Sequence, residues 1–457
     1  MYDVVIIGAG PGGYTCALRA AGYGLSVALI EKDFLGGTCL NRGCIPTKTL
    51  LHAADLLESL KDARKYGITV ENYAPDFPAL RTRVSEVITT LRGGIEKMMK
   101  QKKVDVYHGT GIVKSETCVV VSGADGETEL ETKNIVLATG SVPSVPPIAG
   151  ADLPGVHTSD TLLEELPELS SLVIIGGGVI GVEFAEVYQA LGTSVTILEA
   201  MPRIIPPMDS DLSRHLAADF RKKGVKVIAK ASVSAITKDG DGLAVHYKLG
   251  DKETEVRADA VLIATGRRAS VEGLTPFEIE KERGRAVVNE KCQTSVPHVY
   301  AIGDIVAGTP QLAHAAEAHA RIVAAALAGK PCDIDMKLIP SVVYTKPEVA
   351  SVGLTEDDAK AQGVEVKIAR TMMGGNAKSL IEGVAGYIKI IAAPDGKILG
   401  AEFQCHDAAN LMSEATLAIS KGMTAEELSE IIRPHPSVEE ALGETAENMA
   451  DAILAEK

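Results

Sequence analysis

The sequence of 457 residues contains no tryptophan, and its aromatic content is only 4%. Proteins that bind single-stranded nucleic acid stack bases on aromatic side chains, so this scarcity argues against a base-stacking surface. An excess of positive charge is missing as well, because the formal net charge is −15. A strongly acidic chain repels a phosphate backbone, and we therefore expect no nucleic-acid partner.

Long apolar segments are also absent. No run of about 18 apolar residues is available to span a bilayer. Met1-Tyr2-Asp3 leads directly into the apolar run from Val4 to Ile7, without a basic start or a cleavable apolar core. We therefore expect a cytoplasmic protein with no secretory signal and no membrane span. With 46% hydrophobic and 23% charged residues, the chain has the composition of an ordinary globular protein, long enough for about three domains.

The seven cysteines are odd in number and scattered along the chain, at positions 16, 39, 44, 118, 292, 332 and 405. This is not the disulfide framework of a small secreted protein. Cys39 and Cys44 lie five positions apart in GGTCLNRGCIPTK, which runs from Gly36 to Lys48. A close pair in the cytoplasm is more often catalytic or metal-binding than structural. Three interpretations are open: a structural disulfide, half of a metal site, or a redox-active pair.

Geometry favours the redox-active pair over the other two. Residues five apart in a regular helix have Cα atoms about 8.6 Å from each other, whereas a disulfide needs less than about 7 Å. A Cys39–Cys44 bond therefore requires an irregular turn, which Gly43 and Pro46 could provide, and a strained bond is easily reduced. A structural zinc site needs four ligands, and no second cysteine pair exists, so we expect no metal. Inert thiols remain an alternative.

The segment VVIIGAGPGGYTCALRAAGYGLSVALIEKD predicts a strand, a glycine turn, a helix and a second strand. Gly8, Gly10 and Gly13 form GxGxxG, and Glu31 ends the second strand. The glycines permit a tight turn and a close approach of pyrophosphate to backbone N–H groups, and the carboxylate can accept hydrogen bonds from a ribose. Because every part of this unit is in place, the segment predicts a dinucleotide site.

The same unit recurs in LVIIGGGVIGVEFAEVYQALGTSVTILEA, which carries Gly176, Gly178, Gly181 and Glu199. From first glycine to acid the separation is 23 residues in both copies, 8 to 31 and 176 to 199. IVLATGS at 135–141 and VLIATGR at 261–267 form a further matching pair. The chain therefore has two nucleotide-binding units on parallel sheets, and the proline-rich stretch 141–150 is typical of a linker between them.

The remainder of the chain has a different sequence pattern, without a third nucleotide fingerprint. VYAIGD, at 299–304, predicts a short strand that ends in Asp304. Strands are predicted at 386–392 and 397–404 around the turn Pro394-Asp395-Gly396, and helical patterns follow. The predicted fold class is α/β, with two Rossmann-like dinucleotide-binding domains and a C-terminal α+β domain.

Taken together, the cysteine segment, both glycine fingerprints, both ATG strands and TSVPHVYAIGD resemble the flavoprotein disulfide reductases, which are FAD-dependent pyridine nucleotide-disulfide oxidoreductases. The resemblance runs the whole length, and within the family it is greatest to the enzymes that oxidise dihydrolipoamide. It implies FAD on the first fingerprint, NAD on the second and a C-terminal dimerisation domain. The implied domains are residues 1–148 and 268–335 for FAD, 149–267 for NAD and 336–457 for dimerisation.

The resemblance also implies roles for individual residues. Cys39 matches the thiol that exchanges with the substrate, and Cys44 matches the thiol next to the flavin. Lys48 matches a lysine near the flavin, with Glu183 as its carboxylate partner. Further implied FAD contacts, besides the first fingerprint, Glu31 and Lys48, are Gly111, Thr139, Gly140, Asp304, Gln311, Leu312, Ala313 and His314. Gly266 joins the second fingerprint and Glu199 as an implied NAD contact.

His435 and Glu440, in RPHPSVEEAL, match the histidine–glutamate pair of the family. Thiol–disulfide exchange needs a base for the attacking thiol and an acid for the leaving thiolate, and a carboxylate fixes the tautomer of the histidine. Because the C-terminal domain resembles a dimer interface, we expect His435 to serve the cysteines of the partner subunit. A histidine that merely precedes a helix is the alternative.

The implied function is that of a homodimeric FAD enzyme that oxidises protein-bound dihydrolipoamide and reduces NAD. We expect the lipoyl domain of an acyltransferase or the glycine cleavage H protein as its partner, since the chain carries no lipoyl domain of its own. The departures at Arg433-Pro434, at Asn410 and in TMMGGNAKS at 371–379 weaken the assignment of the disulfide substrate. A glutathione-type reductase and a non-catalytic flavoprotein subunit are the alternatives.

Glu199 predicts the choice of nicotinamide nucleotide. A 2′-phosphate beside this carboxylate would add about two negative charges in a partly desolvated cleft. Arg203, four residues on, is the nearby cation that could favour NADP. Because the acid itself is intact, we expect NAD.

Overall fold

A computed structural model describes residues 1–124, 126–271 and 275–456 of the chain. The α-helices are α1 (Pro11–Gly22), α2 (Gly37–Arg42), α3 (Cys44–Asp62), α4 (Phe77–Lys102), α5 (Ser159–Glu165), α6 (Val179–Ala190), α7 (Ser210–Lys222), α8 (Ala313–Leu327), α9 (Glu356–Gln362), α10 (Ala377–Glu382), α11 (Ala408–Lys421), α12 (Ala425–Ser429) and α13 (Glu439–Ala455). Short 3-10 helices lie at Ala63–Tyr66, Gly303–Ile305 and Met373–Gly375.

The β-strands are β1 (Val4–Ile7), β2 (Val27–Glu31), β3 (Asp105–His108), β4 (Thr110–Ser115), β5 (Cys118–Gly123), β6 (Gly126–Glu131), β7 (Ile135–Leu137), β8 (Ser141–Pro143), β9 (Val156–Thr158), β10 (Ser171–Ile175), β11 (Ser194–Glu199), β12 (Lys226–Ala229), β13 (Ala231–Asp239), β14 (Gly242–Leu249), β15 (Lys252–Ala258), β16 (Ala260–Ile263), β17 (Arg267–Ala269), β18 (Lys281–Glu282), β19 (Arg285–Ala286), β20 (Val299–Ala301), β21 (Ser341–Val343), β22 (Glu348–Gly353), β23 (Lys367–Met372), β24 (Tyr387–Ala392) and β25 (Ile398–Cys405).

Two parallel sheets share the order of four strands and differ in the fifth, since β20 follows the other strands of its sheet in sequence whereas β9 precedes those of its sheet. The first has the strand order β20-β7-β1-β2-β3 and the second has the order β9-β16-β10-β11-β12. The registers also correspond, since Val4 pairs with Val27 in the first sheet and Ser171 pairs with Ser194 in the second. The central strands β1 and β10 are almost wholly buried, as their continuous apolar runs predict for strands covered on both faces. The repeat inferred from the two fingerprints is therefore also a structural repeat.

Each parallel sheet is accompanied by a three-stranded antiparallel sheet, β4-β5-β6 in the first unit and β13-β14-β15 in the second. Each of these leads into the strand of an ATG motif, β7 or β16. The stretch predicted as a linker is only partly irregular, because β8 pairs with β17 in a two-stranded antiparallel ribbon. Each strand of this ribbon directly follows one of the two ATG motifs, and the pairing of the strands connects the two units.

The C-terminal sheet is antiparallel, with the order β21-β22-β25-β24-β23. Helices α11, α12 and α13 bury their apolar faces against it, around Phe403, Leu411 and Leu442. The strands predicted at 386–392 and 397–404 are present as β24 and β25. The predicted fold class, with two parallel-sheet units and a C-terminal α+β unit, is confirmed.

Candidate active site

Both glycine loops bend sharply between a strand and a helix. Gly8 has φ 101° and Gly176 has φ 108°, and a Cβ added at either position would lie 2.4 Å or 2.5 Å from the carbonyl oxygen of Ala138 or Ala264. The third glycines are required by packing, since a Cβ at Gly13 or Gly181 would lie 1.8 Å or 2.0 Å from the carbonyl of the first glycine. These four glycines therefore shape the turns themselves.

The middle glycines, Gly10 and Gly178, have a different surrounding. A Cβ at Gly10 would meet a single backbone atom at 4.0 Å, and a Cβ at Gly178 would meet no described atom within 4 Å. Both precede a helix, α1 or α6, whose first turn receives no side-chain cap. An open cradle beside uncapped backbone N–H groups is what the pyrophosphate of a dinucleotide requires, so both loops fit such a ligand.

Glu31 and Glu199 end β2 and β11 and support these loops. Glu31 accepts hydrogen bonds from the backbone N–H of Ala9 at 2.7 Å and of Asp33 at 2.9 Å. Glu199 makes the equivalent pair, with the N–H groups of Gly177 and Met201, both at 2.6 Å. Each oxygen of the two carboxylates thus accepts one hydrogen bond from the backbone and keeps a further lone pair that could accept from a sugar hydroxyl. The sequence pattern did not predict this loop-bracing contact.

One large cleft collects most of the predicted site residues. It has a volume of about 1560 Å³, which exceeds the usual range for a single small ligand. Its wall contains both middle glycines, both carboxylates, the thiol pair and the Lys48–Glu183 pair. The other predicted residues that line it are Gly8, Gly111, Thr139, Gly140, Gly176, Gly266, Asp304, Gln311, Leu312, Ala313 and His314. Gly13 and Gly181 lie behind the wall, where they pack against the loops.

Cys39 and Cys44 are separated by a break in the helix. α2 ends at Arg42 and α3 begins at Cys44, so Gly43 stands between two helices. A Cβ on Gly43 would lie 3.0 Å from the carbonyl oxygen of Thr38, which makes a side chain there difficult to accommodate. The irregular turn that the spacing required is present, and it places the two thiols close enough for each to shift the pKa of the other. The structure presents both residues as thiols.

The two thiols differ in acidity. A hydrogen bond from the Cys39 thiol and the positive charge of Lys48 lower the pKa of Cys44 to about 7, against the opposing effect of burial. The pKa of Cys39 is raised, because its proton is shared with Cys44 and because its thiol is buried. Cys44 is therefore the sulfur that bears the negative charge in the reduced pair.

Lys48 is held beside Cys44 by a buried carboxylate. Its Nζ donates to both oxygens of Glu183, at 2.9 Å and 2.7 Å, and lies 4.6 Å from the ring centre of Tyr344. The backbone N–H of Tyr344 donates to Glu183 at 3.1 Å. Burial lowers the pKa of Lys48, but the Glu183 carboxylate outweighs it and the net shift is upward. A permanent positive charge therefore faces the cleft.

Asp304 does not end a strand as the sequence predicts, because β20 stops at Ala301 and Asp304 follows in a 3-10 turn, partly buried. Its carboxylate accepts a hydrogen bond from the Ser141 hydroxyl. Arg267 donates to the Ser141 hydroxyl at 2.8 Å and to its carbonyl at 2.8 Å. Sequence reasoning missed Ser141 and Arg267, although both occupy the position directly after an ATG motif.

Two further residues of the cleft wall, Tyr344 and Asn41, were also missed. Tyr344 carries no motif, and its place over Lys48 depends on β21, which is far away in sequence. Asn41 donates to the carbonyl of Gly37 at 2.8 Å and accepts from Arg92 at 2.6 Å, and so ties the cysteine segment to α4. Neither role follows from local sequence, because Lys48 is distant in sequence from Tyr344 and Arg92 is distant from Asn41.

His435 and Glu440 pair with each other but stand apart from the cleft. His435 Nδ1 lies 2.8 Å from Glu440 Oε1, and Glu440 Oε2 accepts from the backbone N–H of Ser437 at 2.9 Å. The Ser437 N–H and the imidazole lower the pKa of Glu440. The His435 side chain is 74% exposed. In the described part of the chain, neither residue belongs to the cleft wall.

The contacts of Arg203 argue against a role for this cation beside Glu199. Its guanidinium pairs with Asp357 at 3.1 Å and donates to the carbonyl of Met208 at 3.0 Å. The cation nearest to the second carboxylate in sequence is therefore engaged by the C-terminal unit.

Residues 1–124, 126–271 and 275–456 contain neither a cluster of metal ligands nor a membrane-spanning helix. No group of three or more His, Cys, Asp or Glu side chains is arranged to hold a metal ion. No helix combines the length and the apolar character needed to cross a bilayer.

Comparison with known proteins gives matches across most of the chain. Residues 2–320 match the family model of pyridine nucleotide-disulphide oxidoreductases, and residues 339–446 match the dimerisation domain of that family. A dihydrolipoyl dehydrogenase of Bacillus subtilis is 38% identical, over 97% of this chain and 97% of the relative.

Solved structures match as well. A HOCl-induced flavoprotein disulfide reductase of Escherichia coli, RclA, is 31% identical with a TM-score of 0.87, over 98% of this chain and 99% of that chain. LpdA of Mycobacterium tuberculosis is 26% identical with a TM-score of 0.90, over 97% of this chain and 99% of that chain.

Proposed function

Since the chain belongs to the pyridine nucleotide-disulphide oxidoreductase family, as a flavoprotein disulfide oxidoreductase, we propose that it oxidises protein-bound dihydrolipoamide and reduces NAD+. The net reaction is dihydrolipoamide + NAD+ → lipoamide + NADH + H+. The family uses FAD and NAD(H). The observation that carries the proposal is the thiol pair, which lies in one cleft with two dinucleotide-binding loops and has one sulfur of lowered pKa.

The thiol pair carries out the exchange with the lipoyl group. In the oxidised enzyme a lipoyl thiolate attacks the Cys39 sulfur, the Cys39–Cys44 bond breaks, and Cys44 leaves as a thiolate. The second lipoyl thiolate then attacks the lipoyl sulfur of this mixed disulfide, which forms the lipoamide disulfide and releases Cys39. A sulfur of low pKa is the better leaving group, and the pKa of about 7 at Cys44 supports this direction of attack.

His435 moves the protons of this exchange. The lipoyl dithiol gives up two protons, of which one ends on Cys39 and the other remains on His435 of the partner subunit. Glu440 holds Nδ1 of the imidazole, so Nε2 is the nitrogen that exchanges protons with the sulfurs. The large exposure of His435 in a single chain supports action in trans, and the match to a dimerisation domain supports a homodimer.

The cofactor-binding residues are proposed as follows. FAD would be held by the first glycine loop, Glu31, Lys48, Gly111, Thr139, Gly140, Asp304 and the segment from Gln311 to His314. NAD(H) would be held by the second loop, Glu199 and Gly266. Bound FAD supplies a two-electron carrier between the reduced thiol pair and the nicotinamide. Lys48, with its charge maintained by Glu183, provides positive potential at that part of the cleft.

The biological setting also belongs to the proposal. The lipoyl group would be supplied by the lipoyl domain of an acyltransferase of a 2-oxoacid dehydrogenase complex or by the glycine cleavage H protein, in the cytoplasm. The corresponding domains would be 1–148 and 268–335 for FAD, 149–267 for NAD and 336–457 for dimerisation. The shared order of four strands in the two parallel sheets supports this division.

A comparison of disulfide substrates tests the proposed function. The purified dimer, loaded with FAD, is given NADH and either lipoamide or glutathione disulfide. Turnover with lipoamide alone agrees with the proposal, turnover with glutathione disulfide alone favours a glutathione-type reductase, and turnover with neither favours a non-catalytic subunit. The last two results contradict the proposal.

Preference for NAD(H) over NADP(H) is a separate expected outcome. We expect a ratio of kcat/KM on the order of tenfold to thousandfold, or about 1.4–4 kcal/mol, because Glu199 repels a 2′-phosphate. Arg203→Ala should leave this ratio unchanged, since Arg203 is engaged by Asp357. Comparable kcat/KM for NADH and NADPH in the unmodified enzyme would show that Glu199 does not set the choice.

A further inference from the structure

Arg433 is a buried cation just before the His435–Glu440 pair. Only 6% of its side chain is exposed. Its Nη2 lies 2.6 Å from Glu414 on α11 and donates to the carbonyl of Leu428 at the end of α12, at 3.1 Å. Its Nη1 donates to the carbonyl of Ile431 at 2.9 Å. The guanidinium therefore fastens the segment that carries His435 to two helices.

Gly443 provides the space for this guanidinium. It lies inside α13, where glycine costs about 0.5–1 kcal/mol relative to alanine. A Cβ at Gly443 would come within 2.5 Å of Arg433 Nη1 and 3.1 Å of its guanidinium carbon. The glycine stands three residues after Glu440, so the guanidinium rests against the helical turn that holds the carboxylate. At the position where Arg433 packs, α13 therefore contains a residue that makes the helix less stable than alanine would.

Arginine suits this position better than lysine. The three partners of Arg433 are the carboxylate of Glu414 on α11 and the carbonyls of Leu428, in α12, and Ile431, which follows that helix. A planar guanidinium can donate to all three at fixed angles, whereas an ammonium is a compact charge on a flexible stem. A buried cation also depends on its carboxylate, because loss of Glu414 would leave the charge unpaired.

We propose that Arg433 is a positioning residue, which holds His435 and Glu440 in the geometry required for proton transfer during disulfide exchange. This inference rests on the proposed function of the His435–Glu440 pair. His435 is largely exposed in the single chain, so its orientation depends on the segment that bears it. Arg433 fixes that segment on one side, and the hydrogen bond from His435 to Glu440 fixes it on the other.

The test compares Arg433→Ala, Arg433→Lys and Glu414→Gln in the FAD-loaded dimer. We expect Arg433→Ala to lower kcat for lipoamide by about 10- to 100-fold, with KM almost unchanged, because misplacement of a proton-transfer group by about 1 Å has this effect. NADH-dependent reduction of ferricyanide, which bypasses the disulfide exchange, should stay near the unmodified rate. Arg433→Lys should restore only part of the loss, and added guanidinium ion should rescue Arg433→Ala more than ammonium does.

A second readout does not depend on turnover. With ¹⁵N-labelled histidine, the Nδ1 signal of His435 should change in Arg433→Ala and in Glu414→Gln. Arg370→Ala is the matched control, since its ion pair with Asp211 lies against α7 rather than α13. If unmodified enzyme does not use lipoamide, the proposed function fails while the NMR comparison still decides the role of Arg433. An unchanged His435 signal, or an equal loss in both activities, would overturn the inference.

Discussion

Cys39 and Cys44 are both only partly exposed, yet their pKa values move in opposite directions. Burial raises the pKa of either thiol, so it does not account for the difference. The difference arises from the proton that the two sulfurs share, which stays on Cys39 and stabilises the thiolate of Cys44. The positive charge of Lys48 stabilises the Cys44 thiolate further. The reduced pair therefore carries its negative charge on Cys44, and the same low pKa makes Cys44 the better leaving group when a lipoyl thiolate attacks Cys39 in the oxidised pair.

This polarisation can be measured as a titration of the reduced protein. The ultraviolet absorbance of the thiolate should fall as the pH falls through about 7, because the lowered pKa of Cys44 keeps the thiolate present down to that value. Lys48→Met should move the midpoint to higher pH, since the variant removes the charge that lowers this pKa. Lys97→Met, on α4, is the control. A midpoint that is the same in Lys48→Met would show that the ammonium does not act on Cys44.

At the scale of elements, the two strand–loop–helix units show which glycines serve the fold and which serve a ligand. Gly181 packs against the carbonyl of Gly176, whereas Gly178 faces open space in the cleft. Gly178 directly precedes α6, and Gly181 lies three positions further on, in the first turn of that helix. Substitution at each should therefore separate folding from binding.

Gly178→Ala should leave the melting temperature almost unchanged but weaken the binding of NADH by about tenfold or more. The reason is that the added Cβ would occupy the space through which the pyrophosphate approaches the loop. Gly181→Ala should instead destabilise the protein by about 1–3 kcal/mol, the usual cost of overpacking. That clash exceeds the gain of about 1 kcal/mol that alanine brings to a helix. Calorimetry of unfolding and of ADP-ribose binding measures both effects. Binding at Gly178→Ala as tight as in unmodified protein would contradict this division.

The elements also show how far the sequence could be interpreted. Periodicity and spacing predicted β1, α1, β2 and their repeat, because these signals are local. The break at Gly43 followed from the distance that a disulfide demands. Pairing of β8 with β17 could not be predicted, because it joins segments more than a hundred residues apart through backbone hydrogen bonds that leave no side-chain pattern.

The same limit applies to the site. The sequence predicted many of the residues that line the cleft, because their chemistry and spacing form motifs. It did not predict that Glu31 and Glu199 brace their loops, that Arg203 is engaged by Asp357, or that Gly443 makes room for Arg433. Each of these contacts depends on where a distant segment lies. Sequence patterns indicate what a residue can do, while its partners are set by tertiary packing.

At the scale of the whole molecule, one subunit supplies the cleft and the other would supply the base. His435 and Glu440 lie outside the cleft of their own chain, among the residues that the structure describes. A single chain would therefore hold an incomplete site for disulfide exchange. This arrangement predicts complementation between two inactive variants.

Cys44→Ser and His435→Gln, each inactive alone with lipoamide, should restore activity when their subunits are exchanged. In the hybrid dimer, the intact cysteines of one subunit face the intact His435 of the other. Random mixing makes about half of the dimers hybrid with one competent site each, so we expect about a quarter of the unmodified activity. If His435 acted on its own chain, the mixture would remain inactive.

The most direct measurement is the initial rate of NADH formation from dihydrolipoamide and NAD+, compared between the unmodified dimer and Cys44→Ser, both loaded with FAD. We predict that the unmodified enzyme forms NADH and that Cys44→Ser loses this activity while it retains bound FAD, because the disulfide that accepts the lipoyl electrons is missing. A near-normal rate in Cys44→Ser, or no NADH from the unmodified enzyme, would contradict the assignment of the thiol pair as the acceptor of electrons from dihydrolipoamide.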